Sequence, residues 1–68
     1  MTFDIYGQFR LEVVREKNRW VVYRLGLGTR AKSGLVIPSS VAAEDIATYL
    51  DDIFHELSRP KDTVRRLS

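Results

Sequence analysis

Sixty-eight residues, 44% hydrophobic and 29% charged, describe one small globular domain and not a disordered chain. The absence of cysteine excludes a disulfide framework and a thiolate metal site, and no apolar run approaches the length of a membrane span. The net charge is only +2, but residues 41–58 hold five carboxylates and no Lys or Arg, while the other fifty residues set eleven bases against four acids, a balance of +7.

Residues 3–15 alternate, with Phe3, Ile5, Phe9, Leu11 and Val13 on one face and Asp4, Tyr6, Gln8, Arg10 and Glu12 on the other. This is the pattern of a half-buried strand. Gly7 interrupts the apolar row and reads as a bulge or a close approach of the helix. Glu16-Lys17-Asn18 reads as a three-residue hairpin loop, with Asn18 in the left-handed conformation that its last position needs. That register pairs Val13 with Val21, Leu11 with Tyr23 and Phe9 with Leu25, matching apolar faces. A two-residue turn would set Leu11 against Arg24 instead. Residues 19–25 form the second strand, Gly26 to Gly34 a glycine-bearing loop, and Leu35-Val36-Ile37 a short third strand, whose start is either Leu35 or near Lys32.

Ser40 to Arg59 carries a 3.6-residue period. Ile46, Leu50, Ile53, Leu57, Phe54, Tyr49 and Ala42, Ala43 and Ala47 fall in one arc, and Glu44, Asp45, Thr48, Asp51, Asp52, His55 and Glu56 fall opposite. Pro38 holds Ile37 extended, Ser40 is placed to cap the helix, and Pro60 stops it at or before Arg59. The expected fold is α+β: a three-stranded antiparallel β-meander with one C-terminal helix packed on one face, β-β-β-α. Residues 1–59 form the domain. Residues 60–68 form a basic C-terminal tail that either frays or lays a short strand onto the sheet edge. The expected core is Phe3, Ile5, Phe9, Leu11, Val13, Val21, Tyr23, Leu25, Leu35, Ile37, Ile46, Leu50, Ile53, Phe54 and Leu57.

Three features invite a chemical reading. Gly26-Leu27-Gly28-Thr29-Arg30-Ala31-Lys32-Ser33 approximates two nucleotide-binding motifs, but both need a following helix N-terminus, and Gly34-Leu35-Val36-Ile37-Pro38 reads as strand. His55 with Asp51 and Asp52 could hold a divalent ion weakly, on a helix face expected to be convex and wet. No catalytic group, cofactor site or small-molecule substrate site is expected. The third feature is the uncovered sheet face, which on this register carries Tyr6, Arg10, Glu12, Val14, Trp20, Val22 and Arg24. A single-layer sheet needs its second face wet or covered, and a tryptophan beside two valines points to coverage.

Two partners fit such a face. One is protein, as a homodimer or a partner chain meeting Tyr6, Arg10, Val14, Trp20, Val22 and Arg24. The other is nucleic acid, with Arg10, Arg24, Arg15, Arg19, Arg30 and Lys32 on phosphates and Tyr6 and Trp20 stacking. In layout, the order β-β-β-α resembles the sheet-plus-helix domains of AP2 type and of integrase arm-binding modules, which read a DNA groove with the sheet.

Three segments carry a further likeness: Phe3-Asp4-Ile5-Tyr6-Gly7-Gln8-Phe9, Trp20-Val21-Val22-Tyr23-Arg24-Leu25-Gly26 and Tyr49-Leu50-Asp51-Asp52-Ile53-Phe54-His55-Glu56. Together they resemble a group of short bacterial proteins of unknown function. The resemblance implies a bacterial source and one stand-alone domain, and it carries over no active-site residues. The N-terminus lacks the basic and apolar regions of a signal peptide, so a cytoplasmic protein is expected.

Overall fold

In the computed structural model, which describes residues 1–68, the chain forms an antiparallel five-stranded sheet with one helix on one face. The strands are β1 (Thr2–Ile5), β2 (Phe9–Glu16), β3 (Arg19–Gly26), β4 (Thr29–Lys32) and β5 (Val64–Arg66), in the spatial order β4-β3-β2-β1-β5. The helix α1 (Ile46–Phe54) lies between β4 and β5 in the chain and is flanked by single 3₁₀ turns at Ala43–Asp45 and His55–Leu57. The α+β class and the helix on one face agree with the sequence. The three-stranded β-β-β-α meander is corrected to five strands, with the last strand after the helix.

The first departure is at Gly7. The single strand expected over 3–15 is a hairpin, because Tyr6 and Gly7 both take positive φ, 57° and 71°, and the Gln8 N–H closes on the Ile5 carbonyl at 2.9 Å. Two successive positive φ values turn the chain with the twist that flanking strands need. The facing survives this change. Phe3 pairs with Leu11 and Ile5 with Phe9, so the apolar set of the expected strand still shares one face after the fold-back.

The second departure is at Lys17-Asn18. Both residues take positive φ, 49° and 63°, and Glu16 pairs directly with Arg19. The loop is therefore the two-residue turn and not the three-residue one. The pairing slips by one, so Leu11 faces Arg24 and Val13 faces Val22. A slip of one turns every β3 side chain to the opposite face. Trp20, Val22 and Arg24 go to the helix side; Val21, Tyr23 and Leu25 go to the open side.

The expected glycine loop is itself a hairpin: Gly28 supplies a φ of 68°, Gly26 pairs with Thr29, and Tyr23 pairs with Lys32. The strand expected at Leu35–Ile37 is thus replaced by β4 at Thr29–Lys32, and residues 35–37 run as irregular chain leading to the helix. Residues 60–68 take the second of their two expected courses. A turn at Arg59–Asp62, in which Lys61 takes a φ of 75°, leads into β5, which pairs with β1 through Ile5–Val64 and Phe3–Arg66. The Arg59 backbone N–H donates to the Asp62 carboxylate at 2.8 Å and holds that carboxyl below its ordinary pKa. The segment 33–63 therefore crosses the whole sheet from the β4 edge to the β5 edge. Four strand spacings of about 4.8 Å make roughly 19 Å, a width that a helix and its flanking turns can span.

The helix is shorter than Ser40 to Arg59. No side chain caps it, so Ser40 has no capping role; α1 ends at Phe54, and the 3₁₀ turn after it closes at Leu57, where the Ser58 hydroxyl donates to the His55 carbonyl. Its buried residues are Ile46 and Leu50, which pack with Phe3, Ile5, Tyr6, Leu11, Val13, Val22 and Ile37 as the core. Ile53 and Leu57 are 39% and 48% exposed, because the arc of apolar residues is wider than the contact with the sheet. Val21, Tyr23 and Leu25 leave the expected core with the register change, Phe9, Leu35 and Phe54 lie half-buried against it, and Val22 and Tyr6 enter it.

Candidate functional site

Of the seven residues expected on the open sheet face, only Arg10, Glu12 and Val14 are there. Tyr6 sits in the β1–β2 turn with its ring buried, and its hydroxyl donates to the Asp51 carboxylate and carbonyl of α1. Burial, and then the hydrogen bond to Asp51, raise its pKa from 10.0 to about 12. Trp20 faces the helix side, where its indole N–H donates to the Val41 carbonyl at 2.9 Å and the Arg15 guanidinium lies 4.6 Å over the ring. Val22 is 2% exposed in the core. Arg24 lies over the Phe9 ring at 4.5 Å, again on the helix side. One cause accounts for Trp20, Val22 and Arg24: the two-residue turn at Lys17-Asn18. These residues belong to the machinery that seats the helix, together with Gln8, whose amide donates to the Leu57 carbonyl, and Arg15, which donates to the Ser39 carbonyl.

The open face consists instead of Arg10, Glu12, Val14, Val21, Tyr23, Leu25, Arg30 and Lys32. The pairings Val14–Val21, Glu12–Tyr23, Arg10–Leu25, Tyr23–Lys32 and Leu25–Arg30 place them side by side across β2, β3 and β4. Val14, Val21, Tyr23 and Leu25 are half-buried by one another and form an apolar strip along the middle of the face. Charges edge the strip. Arg30 Nε meets Glu12 Oε1 at 2.6 Å, and its guanidinium lies 3.8 Å over the Tyr23 ring. The Tyr23 hydroxyl lies 3.5 Å from the Glu16 carboxylate. Towards β5, Asp4 accepts the Gly7 backbone N–H at 3.0 Å and lies 3.9 Å from Arg65. The sequence pattern places Val21, Tyr23 and Leu25 in the core and names Arg30 and Lys32 only as phosphate contacts, so it does not bring the five together on one face. The signal for them was the Lys-Asn dipeptide, a two-residue turn in which Asn readily takes positive φ.

The full chain, residues 1–68, matches the family described as Domain of unknown function (DUF7661). The chain belongs to that family. No curated protein and no solved structure matches it. The match extends through β5, so the family covers the strand that returns after the helix as well as the hairpins before it.

The remaining candidates resolve into structure. Asp51 is engaged by Tyr6, and the His55 ring nitrogen Nδ1 lies 2.9 Å from the Asp52 carbonyl, so the three side chains are not gathered around one point. Gly26 and Gly28 belong to the β3–β4 hairpin, and β4 follows where a phosphate-binding loop would need a helix N-terminus. No helix is long and apolar enough to cross a membrane.

Proposed function

We propose that this chain is a non-enzymatic protein-interaction module that works through its open sheet face, in its simplest form as a two-fold homodimer of a bacterial cytoplasmic protein. The observation that carries the reading is the strip Val14, Val21, Tyr23 and Leu25 with charged residues at its margins. An apolar centre inside a polar rim is the anatomy of a protein interface. The thinness of the domain supports a second copy as the occupant. Only 10 of 68 residues are buried, and a chain of this size commonly gains its missing core by association. A standard interface takes about 800 Å² from each partner, roughly a sixth of the 4816 Å² of surface, which one face of a two-layer domain can supply. Margins carrying both signs, Arg10 and Arg19 beside Glu12 and Glu16, suit a face that meets its own copy.

Nucleic acid is the second reading, and the positions of the aromatic residues weaken it. Tyr6 and Trp20, which it needed for stacking, point to the helix side, and the Tyr23 ring already carries Arg30, itself paired with Glu12. Multi-angle light scattering of the parent and of Val21→Arg tests the proposal. A dimeric parent and a monomeric, folded variant are expected; a parent that stays monomeric at the highest soluble concentration would overturn the homodimer.

A further inference from the structure

A separate surface lies at the β4 edge. The Ser33 N–H donates to the Val22 carbonyl at 3.0 Å, which makes 22–33 a hydrogen-bonded pair. In an antiparallel ladder such pairs alternate with pairs whose backbone groups point outward. Tyr23–Lys32 and Leu25–Arg30 are the outward pairs, so the N–H and C=O of Lys32 and Arg30 face away from β3. No strand lies beyond β4, and all four of its residues are exposed.

Three further features converge on this edge. Leu27, in the turn before β4, and Val36, beyond its other end, are the two most exposed large apolar side chains, at 103% and 78%. On the helix side, a groove of about 520 Å³ runs beside the strand, floored by Phe9, Leu11, Leu35 and Phe54 and bordered by Arg24 and Lys32. Ala31, the β4 side chain between its two cations, pairs with Arg24 on the helix side and lines that groove. Neither Arg24 nor Lys32 has a carboxylate partner, and β4 carries no acid.

We propose that the β4 edge binds an extended peptide segment of another protein by strand addition, and that the segment alternates acidic and apolar residues. The backbone supplies the pairing. An acidic side chain meets Lys32, which has no carboxylate partner, on the open face, and alternate apolar side chains turn over Ala31 into the groove. Charge argues against a second copy at this edge. Two β4 strands paired with each other would set Arg30 and Lys32 against Arg30 and Lys32, and like charges facing across a ladder destabilise it. The same cations blunt edge-to-edge aggregation, while an acidic strand turns that repulsion into attraction.

The test is an amide-resolved NMR titration of the full chain with an acetylated, amidated heptapeptide of alternating Glu and Leu, with hydrogen exchange read in the same samples. Shifts are expected at Leu27, Thr29–Lys32 and Val36. The Arg30 and Lys32 amides should exchange freely in the unliganded protein and slow at least about tenfold when bound, because exchange protection reports the new hydrogen bonds. Lys32→Glu and the double variant Leu27→Ser with Val36→Ser change only exposed side chains and should each weaken the peptide about tenfold or more. A Lys–Leu heptapeptide that binds equally well, shifts confined to Val14 and Val21, or unprotected Arg30 and Lys32 amides would each overturn the proposal. So would a short mixed-sequence duplex DNA that displaces the peptide from the same residues.

Discussion

The hydroxyl of Tyr6 reaches the carboxylate of Asp51 across 2.5 Å, tying the β1–β2 turn to the middle of α1. Tyr6 holds a φ of 57° at that point, a conformation that costs a bulky residue about 1–2 kcal/mol. Its buried ring and its bond to Asp51 offset the cost. The strained turn and the helix position are therefore linked through this one side chain.

This bond makes stability depend on pH at the alkaline end. Tyr6 ionises near 12 in the folded chain, above its ordinary 10.0. A group whose folded pKa is raised contributes fully below its unfolded pKa and loses that contribution as pH rises through the folded value. Stability should therefore fall between pH 10 and 12. Tyr6→Phe should cost about 1 kcal/mol at neutral pH and flatten the alkaline loss. Urea unfolding of both proteins across that range checks it, and parallel curves would show that Tyr6 is not the group responsible.

Leu50 is fully buried under the sheet side of α1. Leu50→Ala should destabilise the domain by about 2–5 kcal/mol, the transfer term plus the cavity left behind. A change below about 1 kcal/mol in chemical denaturation would mean that the site collapses freely around the missing side chain. Ile53, on the same apolar arc but 39% exposed, should tolerate alanine far better.

The Lys17-Asn18 turn sets the facing of β3, so its chemistry should tune stability directly. Lys17 at a φ of 49° is the less suited of the two residues. Replacing the pair by Asn-Gly, the preferred dipeptide for this turn, should stabilise by about 0.5–1 kcal/mol and leave the Val13–Val22 pairing intact. Inter-strand nuclear Overhauser contacts between residues 13 and 22 would report the register; contacts between 13 and 21 would show a slipped sheet.

Trp20 separates helix seating from association. Its indole bonds Val41 and packs on the helix side, so Trp20→Ala should cost about 3 kcal/mol of stability and leave the molecular mass of the folded protein unchanged. Light scattering beside thermal unfolding distinguishes the outcomes. A clean loss of mass without loss of stability would return Trp20 to an interface.

The legible parts of this fold were those that depend on local pattern. Alternation over residues 3–13 placed Phe3, Ile5, Leu11 and Val13 on the buried face even though the strand is broken at Tyr6-Gly7, because a hairpin pairing odd with odd positions preserves facing. The helical period placed Ile46 and Leu50 correctly. The misplaced part, β3, hinged on one residue of loop length. Apolar matching favours the three-residue loop, because the two-residue turn sets Leu11 against Arg24; the folded chain accommodates that pair by laying the Arg24 guanidinium over the Phe9 ring, so matching by itself puts Trp20, Val22 and Arg24 on the wrong side. The make-up of the open sheet face differs from the expected one for the same reason.

Composition and periodicity by themselves determined a single cysteine-free α+β domain with an amphipathic helix over an antiparallel sheet and a charge split between an acidic helix face and basic strands. Tertiary structure decided which face of β3 meets the helix, that Thr29–Lys32 is an edge strand, and that residues 64–66 return to close the other side of the sheet. Alternation and helical period are properties of neighbours in the chain. Register, edges and strand return depend on where distant residues such as Tyr6 and Asp51, or Ile5 and Val64, come to rest against each other, and only the packed chain settles that.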